Sequence, residues 1–106
     1  MCELSVTEYL KSIRGDVFKI LPMKEDQEQG EQNYLYKYIE SLTFNLIGGL
    51  EQFEFLGREK QYIYAITNLR FLMHNDVDFL QWRRIVLTAV GGISTLYKKY
   101  GGEDDD

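Results

Sequence analysis

The sequence predicts an all-α fold: a compact bundle of about four helices that pair into two related hairpins. Three observations predict it. Apolar residues recur every three or four positions through four long segments, which is the spacing of one helix face. The breaks between segments carry turn chemistry: Pro22, Gly57, His74-Asn75 followed by Asp76 and Asp78, and Gly101-Gly102. One Pro in 106 residues leaves the helical stretches free of internal breakers, and 44% hydrophobic residues supply a core. A chain of 12.5 kDa buries about 12,000 Å² on folding, enough for one domain without staples. Residues 1–100 therefore read as a single helical domain, and residues 101–106 as a disordered acidic tail.

The first helix is expected over residues 5–21. Ser5 with Glu8 makes a capping-box pattern. Val6, Leu10, Ile13, Val17 and Ile20 form its apolar face. Gly15 is a weak point, and Pro22 ends the helix because the residue before a proline avoids the α region. Residues 22–33 hold only Pro22 and Met23 as apolar members and read as a mobile acidic loop. A calcium loop there fails, since its twelfth position is Tyr36 where a bidentate carboxylate is needed.

The second helix starts near Asn33 or Tyr34. Leu35, Ile39, Leu42, Leu46, Leu50 and Phe53 form its stripe, Tyr38 and Ile47 widen it, and Gly57 stops it. The third helix covers residues 58–73, with Tyr62, Ile66, Leu69 and Met73 on one face and Ile63 and Leu72 beside it. The fourth is capped by Asp76 or Asp78. Its stripe is Phe79, Trp82, Val86, Val90, Ile93, Tyr97 and Tyr100, and Leu80, Ile85 and Leu87 lie off it. This helix is apolar most of the way round, so it is expected to be the most central. Lys98 and Lys99 complement its C-terminal dipole and Gly101-Gly102 closes it.

An internal repeat joins the second and fourth helices at an offset of 43: LTFNLIGGLEQF aligns with IVLTAVGGISTL. Both copies carry a glycine pair, Gly48-Gly49 and Gly91-Gly92. Two glycines inside a helix cost about 2 kcal/mol relative to alanine. A close crossing of the two helices at the glycines offsets that cost. A kink or break at each pair and a backbone open to a ligand are the alternatives.

Charge is unevenly placed. The net −5 divides into −5 over residues 1–57, +4 over residues 58–100 and −4 over residues 101–106. The longest uncharged run, residues 85–97, spans about 20 Å as a helix against about 30 Å of hydrocarbon, so no membrane span is expected. Glu3, Thr7 and Glu8 interrupt any signal-peptide core. A single Cys, Cys2, points to a reducing, cytoplasmic setting.

Little reads as catalysis. His74 and Cys2 are far apart, no zinc-ligand spacing or phosphate loop occurs, and Glu51/Glu54 and Asp76/Asp78 read as solvated or capping groups. No enzyme activity, cofactor or metal is expected. The informative residues are the eight Tyr and six Phe. Tyr34, Tyr36, Tyr38 and Tyr64 sit beside the apolar stripes, where exposed aromatic groups anchor protein partners. The expected function is non-enzymatic protein binding of a regulatory, inhibitor or adaptor type, on another protein or a second copy of the chain. The alternative is a nucleic-acid-associated subunit using Arg70, Arg83, Arg84, Lys98 and Lys99. A pI near 4.9 opposes that alternative, and the acidic tail is a candidate to cover the basic residues.

Overall fold

The computed structural model describes residues 6–25 and 32–102. Ser5, Cys2, residues 26–31 and the tail 103–106 lie outside the described residues, and with them the capping box, most of the acidic loop and the tail. The elements are α1 (Val6–Phe18), α2 (Ile20–Glu25), α3 (Gln32–Gln52), a 3-10 helix (Glu54–Arg58), α4 (Lys60–His74) and α5 (Phe79–Lys99). No strand occurs among the described residues, and the chain is an all-α bundle of four long helices with α2 as a short fifth.

The long helices form a ring in the order α1, α3, α4, α5, each packed on its two neighbours; the backbones of the diagonal pairs do not approach, although the Tyr9 and Tyr62 hydroxyls meet between α1 and α4. Each step is antiparallel. Tyr9 lies at Asn45 and Asp16 at Tyr38. Tyr62 lies at Leu46, and Glu59 at Lys99. The topology is therefore up-down-up-down. Leu10, Ile13 and Val17 of α1, Leu35, Ile39 and Leu46 of α3, Ala65, Leu69 and Leu72 of α4, and Val86, Ile93 and Leu96 of α5 are buried in the centre. These are the stripes that the helical spacing marks out, together with their immediate neighbours.

The first helix does not stop at Pro22. The break falls at Lys19, and α2 resumes with Pro22 at its third position. A first-turn residue needs no intrahelical partner for its N–H, so proline fits there. The step turns Ile20 fully into the core. Six residues cannot hold a helix alone. α2 is held by Ile20 and by Lys24, whose ammonium stands 4.5 Å from the centroid of the Trp82 ring.

Gly57 does not stop the second helix either. Phe53 leaves the helix at φ −129° and ψ 83°, and the 3-10 helix buries Leu56 completely. It also sets Phe53 and Phe55 between Tyr9 and Tyr100, with ring centroids 5.6, 6.1 and 5.0 Å apart along the series. This aromatic row closes one end of the bundle. α5 begins at Asp78, whose carboxylate accepts from Gln81 N at 2.8 Å. It ends with Gly101 at φ +100°, where Gly101 N donates to Lys98 O and Gly102 N donates to Tyr97 O at 2.8 Å. α5 is the most heavily packed helix, as expected: it packs on α1, α4 and α2 and buries Trp82, Val86, Ala89, Ile93, Leu96 and Tyr97, and only its first turn stands out, with Leu80 76% exposed.

Both helices run unbroken through their glycine pairs, so neither pair is a helix break. The predicted crossing of these two helices also falls, because α3 and α5 do not touch. What the pairs share is α4, which lies between them. A Cβ on Gly49 would overlap the Tyr62 hydroxyl and stand 2.6 Å from the Tyr9 hydroxyl. A Cβ on Gly92 would stand 3.2 Å from Gln61 Cβ. Gly48 and Gly91 face open space and take no part in packing. The second glycine of each pair thus admits the first turn of α4.

Candidate interaction surface

The ring order decides which helix faces lie side by side. On α4, Tyr62 points to the core and Gln61 meets α5. Nine residues at about 100° each place Arg70 about 180° round from Gln61, on the α3 side. Ile63 and Thr67 share that shoulder, and Lys60, Tyr64 and Phe71 point outward. On α3, Tyr38 and Asn45 reach α1. The opposite shoulder, toward α4, carries Tyr36, Ile47 and the buried Thr43, whose hydroxyl donates to Ile39 O at 2.9 Å. Phe44, Glu40 and Glu51 point outward.

One two-helix face therefore displays six large apolar side chains: Tyr36, Phe44 and Ile47 from α3, and Ile63, Tyr64 and Phe71 from α4. Phe44 is 69% and Tyr64 64% exposed, and the other four are close to 40%. At the end of this face nearest the 3-10 helix, residues 57–60 with Ile63, Tyr64 and Thr67 line a groove of about 430 Å³. Glu40, Glu51, Lys60 and Arg70 stand among the apolar groups. None of these four makes an ion pair or side-chain hydrogen bond among the described residues.

Of the tyrosines expected to bind a partner, Tyr36 and Tyr64 belong to this face. Tyr34 is 68% exposed but points to the α1 side of α3. Tyr38 is a correction: its hydroxyl donates to Asp16 O at 2.8 Å, so it fastens α3 to α1. Burial, then the negative charge of Asp16, holds that hydroxyl above the ordinary tyrosine range. Phe44 and Phe71 were legible in the sequence as apolar residues on the side of the helix opposite the stripe. Ile47 and Ile63 sit so close to the stripes that their spacing alone assigns them to the core.

The basic residues of the nucleic-acid reading do not gather. Arg83 and Arg84 flank a shallow groove with Leu80, Leu87 and Thr88 at the start of α5. Lys98 and Lys99 lie about 21 Å further along the helix. Arg70 faces the far side of α4. Lys99 donates to Glu59 Oε2 at 2.7 Å and is thereby committed within the fold. The tail that was a candidate to cover these residues lies outside the described residues.

Two further clusters are structural. The Tyr62 hydroxyl donates to Leu46 O and stands 3.1 Å from the Tyr9 hydroxyl, which donates to Asn45 O at 3.0 Å. Burial pushes both phenols above the ordinary range. Glu59 accepts from Lys99 and from the Tyr100 hydroxyl, and these two donors hold its carboxyl below the usual carboxylate range. His74 is exposed at the end of α4. Among the described residues no three His, Cys, Asp or Glu come together as metal ligands, and no helix is long and apolar enough to cross a membrane. Comparison with protein-family models, curated proteins and solved structures gave no match.

Proposed function

We propose that this chain is a non-enzymatic protein-binding module whose working surface is the outward face of α3 and α4. The observation that carries this reading is the concentration of Tyr36, Phe44, Ile47, Ile63, Tyr64 and Phe71 on two adjacent helices. A folded chain gains nothing by leaving such groups in water, and contiguous apolar patches rimmed by charge mark interaction sites. Their chemistry suits a protein partner: aromatic and aliphatic anchors at the centre, charged groups interspersed. The nucleic-acid alternative needs a coherent positive face, and the separation of Arg70, Arg83, Arg84, Lys98 and Lys99 supplies none.

A photo-crosslinking residue placed at Tyr64, and as a control at exposed Lys11 on α1, tests the reading in the native cell. Protein adducts are expected from position 64 and not from position 11. Absence of adducts at both positions overturns it.

A further inference from the structure

We infer that the partner of the α3–α4 face is a second copy of the same chain, related by a two-fold axis parallel to the helices, so that α3 of each copy lies on α4 of the other. The inference rests on the reading of this face as a binding surface and adds the occupant and its register. It is carried by charge placement. α3 brings Glu40 and Glu51 to the stretch of the face where α4 brings Lys60 and Arg70; Lys37 lies about one turn beyond Glu40 toward the start of α3, and Glu59 at the start of α4 is paired with Lys99.

Their heights match. Within one chain Tyr62 reaches Leu46 and Gly49, and Gly57 abuts Leu50, which sets the antiparallel register of the two helices. Continued along the pair, that register brings Ile47 level with Ile63, Glu51 level with Lys60, and Glu40 level with Arg70. An axis parallel to the helices preserves height and exchanges the two helices. Glu51 of one copy then faces Lys60 of the other, Glu40 faces Arg70, and Ile47 faces Ile63, each twice by symmetry. An axis across the helices would instead stack α3 on α3 and set Glu40 and Glu51 against like charges. These four charges have no ion-pair partner among the described residues, and the parallel axis supplies one for each.

The size of the face sets the strength. α4 is about 22 Å long and two packed helices are about 20 Å wide, so each copy offers about 450 Å² in projection. The total lies near the lower limit for stable association, which makes the dimer weak and reversible.

Sedimentation velocity on the purified chain, from micromolar to submillimolar concentration, tests this. A reversible monomer–dimer equilibrium is expected. Glu40→Lys with Glu51→Lys, and separately Lys60→Glu with Arg70→Glu, should each weaken it at least about tenfold, a modest loss for two charge pairs. An equimolar mixture of the two variants should recover association as a heterodimer. All four sites are exposed, and circular dichroism confirms that each variant folds. A wild-type chain that stays monomeric throughout overturns the inference; adducts of position 64 with a different polypeptide would then keep the binding reading alone. A wild-type dimer that neither pair of reversals weakens overturns the α3-on-α4 placement.

Discussion

Gly49 and Gly48 are neighbours in one helix and face opposite demands. Gly49 is buried where the Tyr9 and Tyr62 hydroxyls converge, and a Cβ there has no room. Gly48 faces open space, as does Gly91. Glycine in a helix interior costs about 0.8–1 kcal/mol relative to alanine through backbone entropy. Gly48→Ala and Gly91→Ala should therefore each stabilise the fold by up to about 1 kcal/mol, a rise of several degrees in midpoint for a domain of this size. Gly49→Ala should lower stability by about 1–3 kcal/mol, the range for overpacking a filled interior. It would displace the Tyr62 hydroxyl from Leu46 O and its partner Tyr9. Thermal denaturation of the three variants checks this, and a Gly49→Ala protein as stable as the Gly48→Ala protein would refute it. Gly92→Ala is the intermediate case, because Gln61 must shift by a few tenths of an ångström.

Glu59 shows how one side chain ties two helices. It precedes α4, and its carboxylate receives Lys99 and Tyr100 from the end of α5. Its folded pKa is depressed from 4.5. The stabilisation is therefore present above the unfolded value and is lost as pH falls through the lower folded value. Glu59→Gln should lower the thermal midpoint at neutral pH, and its gap to the wild type should close as the pH falls below about 4.5. A gap that stays constant down to pH 3 would exclude the ion pair as its cause. The long helices were legible in the sequence because each repeats its apolar residues at 3.6-residue spacing, and Asp78, Gly101 and Gly102 act as their positions suggest. α2 and the 3-10 helix were not legible. Ile20 could be read as a member of the first stripe, but the break at Lys19 could not, and no local pattern around Gly57 encodes the burial of Leu56. Tyr36 and Tyr64 could be read as off-stripe residues. That their faces adjoin, and that Tyr34 and Tyr38 turn toward α1, follows only from the order of helices round the ring.

The ring itself makes the molecule one cooperative unit. Every long helix holds two neighbours and none lies outside the core, so no single helix can leave without exposing both of its partners. α2 is the element with the weakest claim to that cooperativity, since it is six residues long and rests on Ile20 and on Lys24 over Trp82. Trp82 reports on this directly. It is the only Trp, it is 3% exposed, and its indole N–H has no acceptor among the described residues. Its emission should be that of a buried indole and should shift on unfolding in step with the helical ellipticity at 222 nm, as a two-state transition requires. Lys24→Ala removes a cation from the ring face. It should change the emission of the folded protein while costing no more than about 1 kcal/mol, the usual worth of such a contact near the surface. Coincident fluorescence and ellipticity curves in both proteins would show that α2 melts with the bundle. A fluorescence transition that precedes the loss of helix would show that α2 and the start of α5 form a separate, weaker unit. The ring of four helices would then be cooperative only beyond that end.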